Sequence, residues 1–184
     1  MKKIGLFFLI VGAGIIGYFY FEYQSATSGV MEIQDERETS SREIEKTSLE
    51  HGEEIAVLKI PVLEKQYLTY WGTDDETLDQ GVGMHDSEWT GTPEEERHTL
   101  LSGHRDTVFR ELGDLREGDE MIVEYNGVSY TYAISDIWIT SAEDTSVVVD
   151  KDEATLTLST CYPFHLLGDA PDRYIIEAEL TSAK

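Results

Sequence analysis

The chain has 184 residues, of which 37 are acidic and 14 are basic, giving a formal net charge of −23 at pH 7. This balance argues against nucleic acid as a partner, because phosphate contacts need a basic face. The single cysteine, Cys161, has no internal disulfide partner, so its chemistry can only be that of a free thiol.

The amino-terminal region contains an apolar run, residues 4–21, which carries no charge and follows Lys2 and Lys3. Its length is close to the roughly 20 residues that a helix needs to cross a bilayer. A cleavable signal peptide is the competing interpretation, but its shorter apolar region ends at small residues, whereas this run ends YFYFEY. The sequence therefore predicts an uncleaved transmembrane anchor in residues 1–21, with the amino terminus in the cytoplasm and the rest of the chain outside the cell.

Residues 22–53 are rich in Glu, Ser and Thr and have too few apolar residues for a continuous hydrophobic stripe, which predicts an acidic linker or, alternatively, a frayed helix. Residues 54–184 have the usual size of one domain.

An acidic cluster at the start of this domain is a weak candidate for calcium binding. Its carboxylates lack the regular spacing of a dedicated calcium loop, so we expect no required cofactor and keep calcium stimulation only as an alternative. The candidate ligands are Asp74, Asp75, Glu76 and Asp79.

Seven short segments of the domain are rich in Val, Ile, Thr and Tyr, which predicts mostly antiparallel strands. The segments are IAVLKI, KQYLTYW, HTLLSG, DEMIVEY, VSYTYAISDIWIT, ATLTLST and RYIIEAEL. Asn126-Gly127 between the fourth and fifth predicts a type I′ hairpin turn. Helix is expected only near residues 74–81, with a turn at 108–115. Many strands with few helices indicate a mostly β barrel or sandwich.

The cysteine ends one of these predicted strands. Strand alternation places Thr157 and Cys161 on the face opposite Leu158, away from the core, and puts Arg173 opposite the core face of the last strand. If the two strands pair, a cation lies beside the sulfur, which lowers a thiol pKa and favours reactivity. A small buried hydrophobe is the alternative interpretation of a free cysteine.

A thiol nucleophile needs a proton-transfer partner, and the five histidines are the candidates. His85 and His98 lie in or beside a polar stretch, for which a solvated surface position is expected. His104 differs, because it ends an apolar run and follows Gly103, which allows a close backbone approach.

Three motifs together resemble the sortases, the bacterial cell-surface transpeptidases: SGHRDT at 102–107, TLSTC at 157–161 and Arg173 twelve residues after the cysteine. The segments GHRDTVFRELGDL and CYPFHLLGDAPDRY are similar to the class D branch. The resemblance extends over about residues 55–180. It implies a single eight-stranded sortase-type β-barrel with short helices.

The resemblance also implies a function for this site. Cys161 attacks the Thr carbonyl of an LPxT-type sorting signal, such as LPxTA or LPxTG, on a secreted protein and forms a thioacyl intermediate. His104 transfers protons, Arg173 binds the developing oxyanion, and a cell-wall amine receives the protein. Thr160 is implied near the oxyanion or substrate, although alternation points its side chain away from Cys161.

The resemblance further implies that the loop from residue 140 to 153 closes over the Leu-Pro part of the signal. Val147, Val148 and Val149 are then an apolar wall of the pocket, or alternatively only a strand or core contact.

Three other classes of protein remain open from the residues alone. A secreted cysteine hydrolase would use the same thiol with water as the acceptor. A non-catalytic anchored β-domain would not need Cys161. A redox or metal site is disfavoured, because the single thiol has no resolving cysteine and no Cys and His cluster has zinc-like spacing.

Overall fold

The computed structural model of the chain describes residues 11–20, 30–33, 49–165, 168 and 170–184. Residues 11–20 form helix α1. Within the described ranges, no helix has the length and apolar character needed to span a membrane. The rest of the predicted span, residues 4–10 and 21, and most of the predicted linker lie outside the described residues.

Nine strands dominate the described chain, with one short α-helix between the third and fourth. The strands are β1 (Val30–Glu32), β2 (Glu54–Ile60), β3 (Lys65–Trp71), β4 (Val82–Met84), β5 (His98–Ser102), β6 (Glu120–Tyr125), β7 (Val128–Ser141), β8 (Thr155–Tyr162) and β9 (Asp172–Ala183). Helix α2 is Asp75–Leu78, and single 3₁₀ turns occur at Pro61–Leu63, Pro93–Glu95, Leu112–Asp114 and Thr145–Val147.

Eight of the strands close into a barrel in the order β3-β2-β6-β7-β9-β8-β5-β4, and the pairing of β4 with β3 completes the ring. β1 pairs with β3 outside this ring. The pairs β3–β4 and β5–β8 are parallel, and the others are antiparallel. The predicted eight-stranded, mostly β barrel is therefore confirmed.

Side-chain alternation explains why these segments close around a core. In β6 the burial alternates, with Met121, Val123 and Tyr125 inside. The hairpin to β7 turns at Asn126 and Gly127, whose φ angles of 50° and 76° are those of a type I′ turn. The predicted hairpin is confirmed, and its tight turn fixes the register of β6 on β7.

Two short strands were missing from the sequence-based expectation. β4 has only three residues, and the strand pattern needs at least four to be recognised. β1 lies within residues 22–53, the predicted linker, and pairs with residues 65–67. The sheet thus begins before residue 54, where the sequence analysis places the start of the domain.

Candidate active site

Cys161 and Arg173 are direct partners in the antiparallel pairing of β8 with β9. Paired residues project to the same face of a sheet, at Cα separations of about 4.5 to 5.5 Å. Both side chains are partly exposed, in contrast to Thr160 on the other face, which is 3% exposed. The thiol is therefore accessible and has a guanidinium as its cross-strand neighbour.

His104 follows β5, which runs parallel to β8 with Ser102 paired to Ser159. His104 and Cys161 each lie two residues beyond this last pair. The backbone N–H of Gly103 donates to the Ser159 carbonyl at 3.3 Å, which continues the pairing toward the site. The parallel register therefore brings His104 and Cys161 to the same end of neighbouring strands.

Gly103 permits this path because the chain passes close to its own next turn. A Cβ atom at Gly103 would lie 2.7 Å from Cγ2 of Val108 and 2.8 Å from Cδ2 of Phe109, closer than real Cβ contacts. Both neighbours are buried. The close approach expected of this glycine is confirmed, and only a residue without a side chain fits immediately before His104.

Thr160 secures the same turn from the inside of the barrel. Its hydroxyl donates to the Gly103 carbonyl at 2.7 Å, and its neighbour across the sheet is Tyr174. The prediction that the Thr160 side chain points away from Cys161 is thus confirmed. That side chain is hydrogen-bonded to the backbone immediately before His104. A contribution of Thr160 to oxyanion binding remains a prediction.

The His104 imidazole lies against a carboxylate rather than against the thiol. Its Nε2 is 3.4 Å from Oδ1 of Asp79, which follows α2, and both side chains are largely open to solvent. No hydrogen bond within the described part of the chain joins His104 to Cys161. Catalytic contacts often tighten only when substrate binds, and the register of β5 and β8 places the two residues at the same end of neighbouring strands.

The Arg173 guanidinium is held by carbonyl groups near its own strand. Nη1 donates to the carbonyl oxygens of Asp172 at 3.1 Å and Ala170 at 3.4 Å. No carboxylate of the described residues forms an ion pair with it. Its other N–H groups form no hydrogen bond with the described residues, and the planar fork suits contact with a substrate oxygen.

The outer face of β5, β8 and β9 forms an apolar floor next to the thiol. Register places Leu100, Thr157 and Ile175 on the same face as Cys161. Leu100 and Ile175 are buried, yet neither belongs to the core cluster inside the barrel. The sequence analysis missed this floor, because strands that are buried on both faces hide the alternation that would have revealed it.

The β7–β8 loop, residues 142–154, contains the three predicted pocket residues. Val147 and Val148 are half-buried, and Val149 is 38% exposed. Their partial exposure leaves them available for contact with a peptide, and their assignment to a substrate pocket remains a prediction.

His98 contradicts the expectation of a solvated surface histidine. It is fully buried in β5, where its ring contacts the Val149 carbonyl and the Thr157 hydroxyl. The expectation was wrong because His98 follows a polar stretch in the sequence but is itself the first residue of an interior strand. Burial lowers the pKa of His98, and burial also lowers that of the half-buried His85.

The acidic cluster around α2 has a local structural role. Asp74 caps the helix, accepting from the backbone N–H of Thr77 at 3.1 Å and from its hydroxyl at 2.8 Å. Its other contact is with His51, at 3.1 Å. No group of three or more His, Cys, Asp or Glu side chains in the described ranges is arranged to hold a metal. Calcium binding by Asp74, Asp75, Glu76 and Asp79 remains a prediction.

Comparison with known proteins identifies the family of this chain. The family model of the sortase domain matches residues 58–181, about two thirds of the chain. The chain belongs to the sortase family. Its members are cysteine transpeptidases, and the single cysteine of this sortase is Cys161.

The most informative relatives belong to class D. Sortase D of Bacillus subtilis (strain 168) is 34% identical over 194 aligned residues, covering 96% of this chain and 97% of that protein. The catalytic domain of B. anthracis SrtD is 53% identical, covering 78% of this chain and 98% of that domain, with a TM-score of 0.66. A Clostridium perfringens sortase D5 transpeptidase is 29% identical, covering 74% and 84%, with a TM-score of 0.65. The resemblance to class D inferred from the motifs is therefore confirmed.

Proposed function

We propose that this sortase cleaves an LPxT-type sorting signal, LPxTA or LPxTG, after Thr and transfers the secreted protein to a cell-wall amine. The observation that carries the proposal is the direct pairing of Cys161 with Arg173 beside the turn that bears His104. This arrangement offers a nucleophile, an oxyanion partner and a proton carrier around one position.

In the acylation step, the Cys161 thiolate attacks the carbonyl carbon of the signal's Thr. The C–S bond forms while the carbonyl electron pair moves to oxygen, and the Arg173 N–H groups stabilise that oxyanion. The oxyanion then collapses, the C–N bond breaks, and protonated His104 gives its proton to the departing amine. The products are a thioacyl enzyme and a free peptide carrying the remainder of the signal.

In the transfer step, the incoming amine attacks the thioester carbon and loses a proton to His104, which is neutral after the first step. Arg173 again stabilises the oxyanion. Its collapse releases the Cys161 thiolate and leaves a new amide bond, so the enzyme returns to its starting state. An accessible thiol also permits water to act as the acceptor, and the balance between water and amine decides between a transferase and a hydrolase.

We also propose that residues 4–21 anchor the enzyme in the cell membrane as a single span, with the amino terminus in the cytoplasm and the barrel outside. Support comes from the uncharged sequence of this run and from the helical residues 11–20, whose large apolar side chains are exposed. Digestion of intact protoplasts by an external protease should remove the barrel. Its survival until lysis would contradict this topology.

The transpeptidase proposal is tested by incubating the full-length protein with LPxTA and LPxTG peptides, with and without a primary amine. The expected products are an acyl adduct on Cys161, detected by mass spectrometry, and a peptide–amine conjugate. Hydrolysis that is unchanged by added amine would instead favour a cysteine hydrolase. The absence of any adduct and any product with both peptides would overturn the proposed specificity.

A further inference from the structure

The proposed chemistry does not use His98, although its imidazole is the most completely buried of the described histidines. The side chain is 0% exposed and connects two parts of the molecule. Nδ1 is 2.7 Å from the carbonyl oxygen of Val149 in the β7–β8 loop, and Nε2 is 2.8 Å from Oγ1 of Thr157 in β8. One ring thus joins the loop to the strand that carries Cys161.

These two partners determine which nitrogen of His98 carries the proton. A carbonyl oxygen only accepts, so Nδ1 must donate to Val149, and in the neutral ring Nε2 then accepts from the Thr157 hydroxyl. Burial, with a smaller contribution from Lys151, lowers the pKa of His98. The hydrogen bond to the Val149 carbonyl acts in the opposite direction but is outweighed, so the neutral form is favoured. The other ionisable groups that act on the ring are Glu177, which pairs with Lys151, and His85.

The other contacts of this end of the loop are more open to solvent. Arg97 donates to Asp150 from Nη2 at 2.7 Å and from Nε at 3.3 Å, and the Asp150 side chain is 62% exposed. Lys151 forms an ion pair with Glu177 of β9. The exposed Arg97–Asp150 pair contributes little to stability, so the fully buried imidazole, which contacts residue 149 itself, is the stronger constraint on the position of that residue.

The position of His98 relates this constraint to the active site. Thr157 is the first residue of the TLSTC motif and lies on the same face of β8 as Cys161. Val149 is one of the three candidate pocket residues. The imidazole therefore fixes the position of Val149 relative to the face of β8 that carries Cys161.

We propose that His98 is a positioning residue for peptide binding, because its hydrogen bond to the Val149 carbonyl holds the β7–β8 loop in the conformation that receives the sorting signal. The inference rests on the proposed function in one respect, that the loop contacts the signal. It requires no contact between His98 and the substrate or the reacting atoms. Loss of the bond should therefore raise KM and leave kcat nearly unchanged.

Two substitutions separate the two hydrogen bonds of the ring. The amide nitrogen of Asn lies as many bonds from Cβ as Nδ1, so His98→Asn keeps a donor for Val149 and loses the contact with Thr157. The amide of Gln extends one bond further, so His98→Gln keeps a partner for Thr157 and leaves the Val149 carbonyl without a donor. Asp150→Asn is the matched control, because it weakens an exposed contact at the neighbouring residue.

The experiment measures kcat and KM of the full-length variants with an LPxTA peptide, together with amide hydrogen exchange of residues 147–151 without peptide. We expect His98→Gln to raise KM about five- to tenfold, as for one lost hydrogen bond, and to speed exchange in the loop. His98→Asn and Asp150→Asn should stay within about twofold of the wild type in KM. Equal KM and equal exchange in the Asn and Gln variants would overturn the inference, as would a loss confined to kcat.

The two readouts also separate this inference from the proposed function. If the wild-type protein processes no LPxT-type peptide, the proposed function fails, and the exchange comparison alone decides whether His98 holds the loop. If the wild type is active and the Gln variant binds peptide normally with a slow-exchanging loop, only the role of His98 is refuted.

Discussion

Cys161 and Arg173 face each other across β8 and β9, and carbonyl oxygens of Ala170 and Asp172 hold one nitrogen of the guanidinium. The cation beside the thiol is therefore positioned by the fold before substrate arrives. Pre-organised donors of this kind stabilise developing charge without reorganisation during the reaction. The orientation of the guanidinium, and not only its charge, should therefore matter.

Arg173→Lys tests this distinction. The ammonium keeps the charge but cannot reproduce a planar fork anchored on one side and free on the other. We expect kcat/KM for transpeptidation to fall about 10²- to 10³-fold, as when an oxyanion donor is removed. Cys161→Ala and His104→Ala should abolish transfer in the same assay, with circular dichroism confirming that each variant is folded. Turnover by Arg173→Lys close to that of the wild type would remove the fork from the mechanism.

Thr160→Val tests whether the Thr160 hydroxyl supports the turn that carries His104. Valine fits the same volume but leaves the Gly103 carbonyl without its buried donor, which should cost about 1 to 2 kcal/mol in the free energy of unfolding. Transfer activity should fall with it, because the backbone before His104 loses its attachment to β8. Thr160→Ser, measured in parallel by urea denaturation and peptide turnover, should restore both. Full activity of the Val variant would show that the His104 turn needs no such support.

Arg105→Met tests the role of the buried arginine that follows His104. Arg105 is 9% exposed, and Nη2 donates to the carbonyl of Gly168 between β8 and β9, while Nη1 is buried with no hydrogen-bond partner among the described residues. Replacing a buried cation that has no ion pair among the described residues by an apolar side chain of similar length should leave the melting temperature unchanged or higher.

Activity should respond differently to the same substitution. Because Arg105 connects the His104 turn to the segment between Cys161 and Arg173, kcat/KM should fall by about tenfold or more as these groups lose their relative placement. Arg105→Lys, which retains the charge and can reach one carbonyl, is the matched variant. Unchanged activity in the Met variant, together with unchanged stability, would show that this connection does not organise the site.

The sequence pattern was sufficient to predict the structure where only one face of a strand is buried. Alternation and the Asn126-Gly127 turn give the β6–β7 hairpin directly, and spacing within TLSTC places the Cys161 side chain on the accessible face. The face of Thr160 also follows from the period of two. At these positions, strand alternation and the observed burial assign each side chain to the same face, so the face can be predicted from the sequence.

The remaining features depend on contacts between distant segments. His98 follows a polar stretch of sequence, which predicted a solvated position. In the fold, β5 lies between β4 and β8, and the β7–β8 loop contacts the His98 ring, so tertiary packing buries this residue. Likewise Leu100 and Ile175 lie on the outer face of the barrel and are nevertheless buried, which the period of two does not predict. The nearness of Asp79 to His104 follows from the position of α2 beside β4, which pairs with the strand that precedes His104. No local pattern encodes these relationships.

The buried histidines should make the stability of the barrel depend on pH. Burial lowers the pKa of His98 and His85 below the ordinary value of 6.5, so between the folded and unfolded pKa values the unfolded state binds more protons. The free energy of unfolding must then rise with pH in this interval, with a slope of at most about 1.4 kcal/mol per pH unit for each histidine. Their full contribution is present above 6.5 and is lost as pH falls from 6.5 through the lower pKa of the folded state.

Urea denaturation at pH 8, 7, 6 and 5 measures this slope. His98→Asn and His85→Asn should each reduce it, and the double variant should be nearly independent of pH between 7 and 5. The lowered pKa values of Asp144 and Asp150 affect stability only at more acidic pH, because carboxylates with depressed values lose their contribution below the ordinary carboxyl range. An unchanged slope in the double variant would mean that other groups cause the acid sensitivity of the fold.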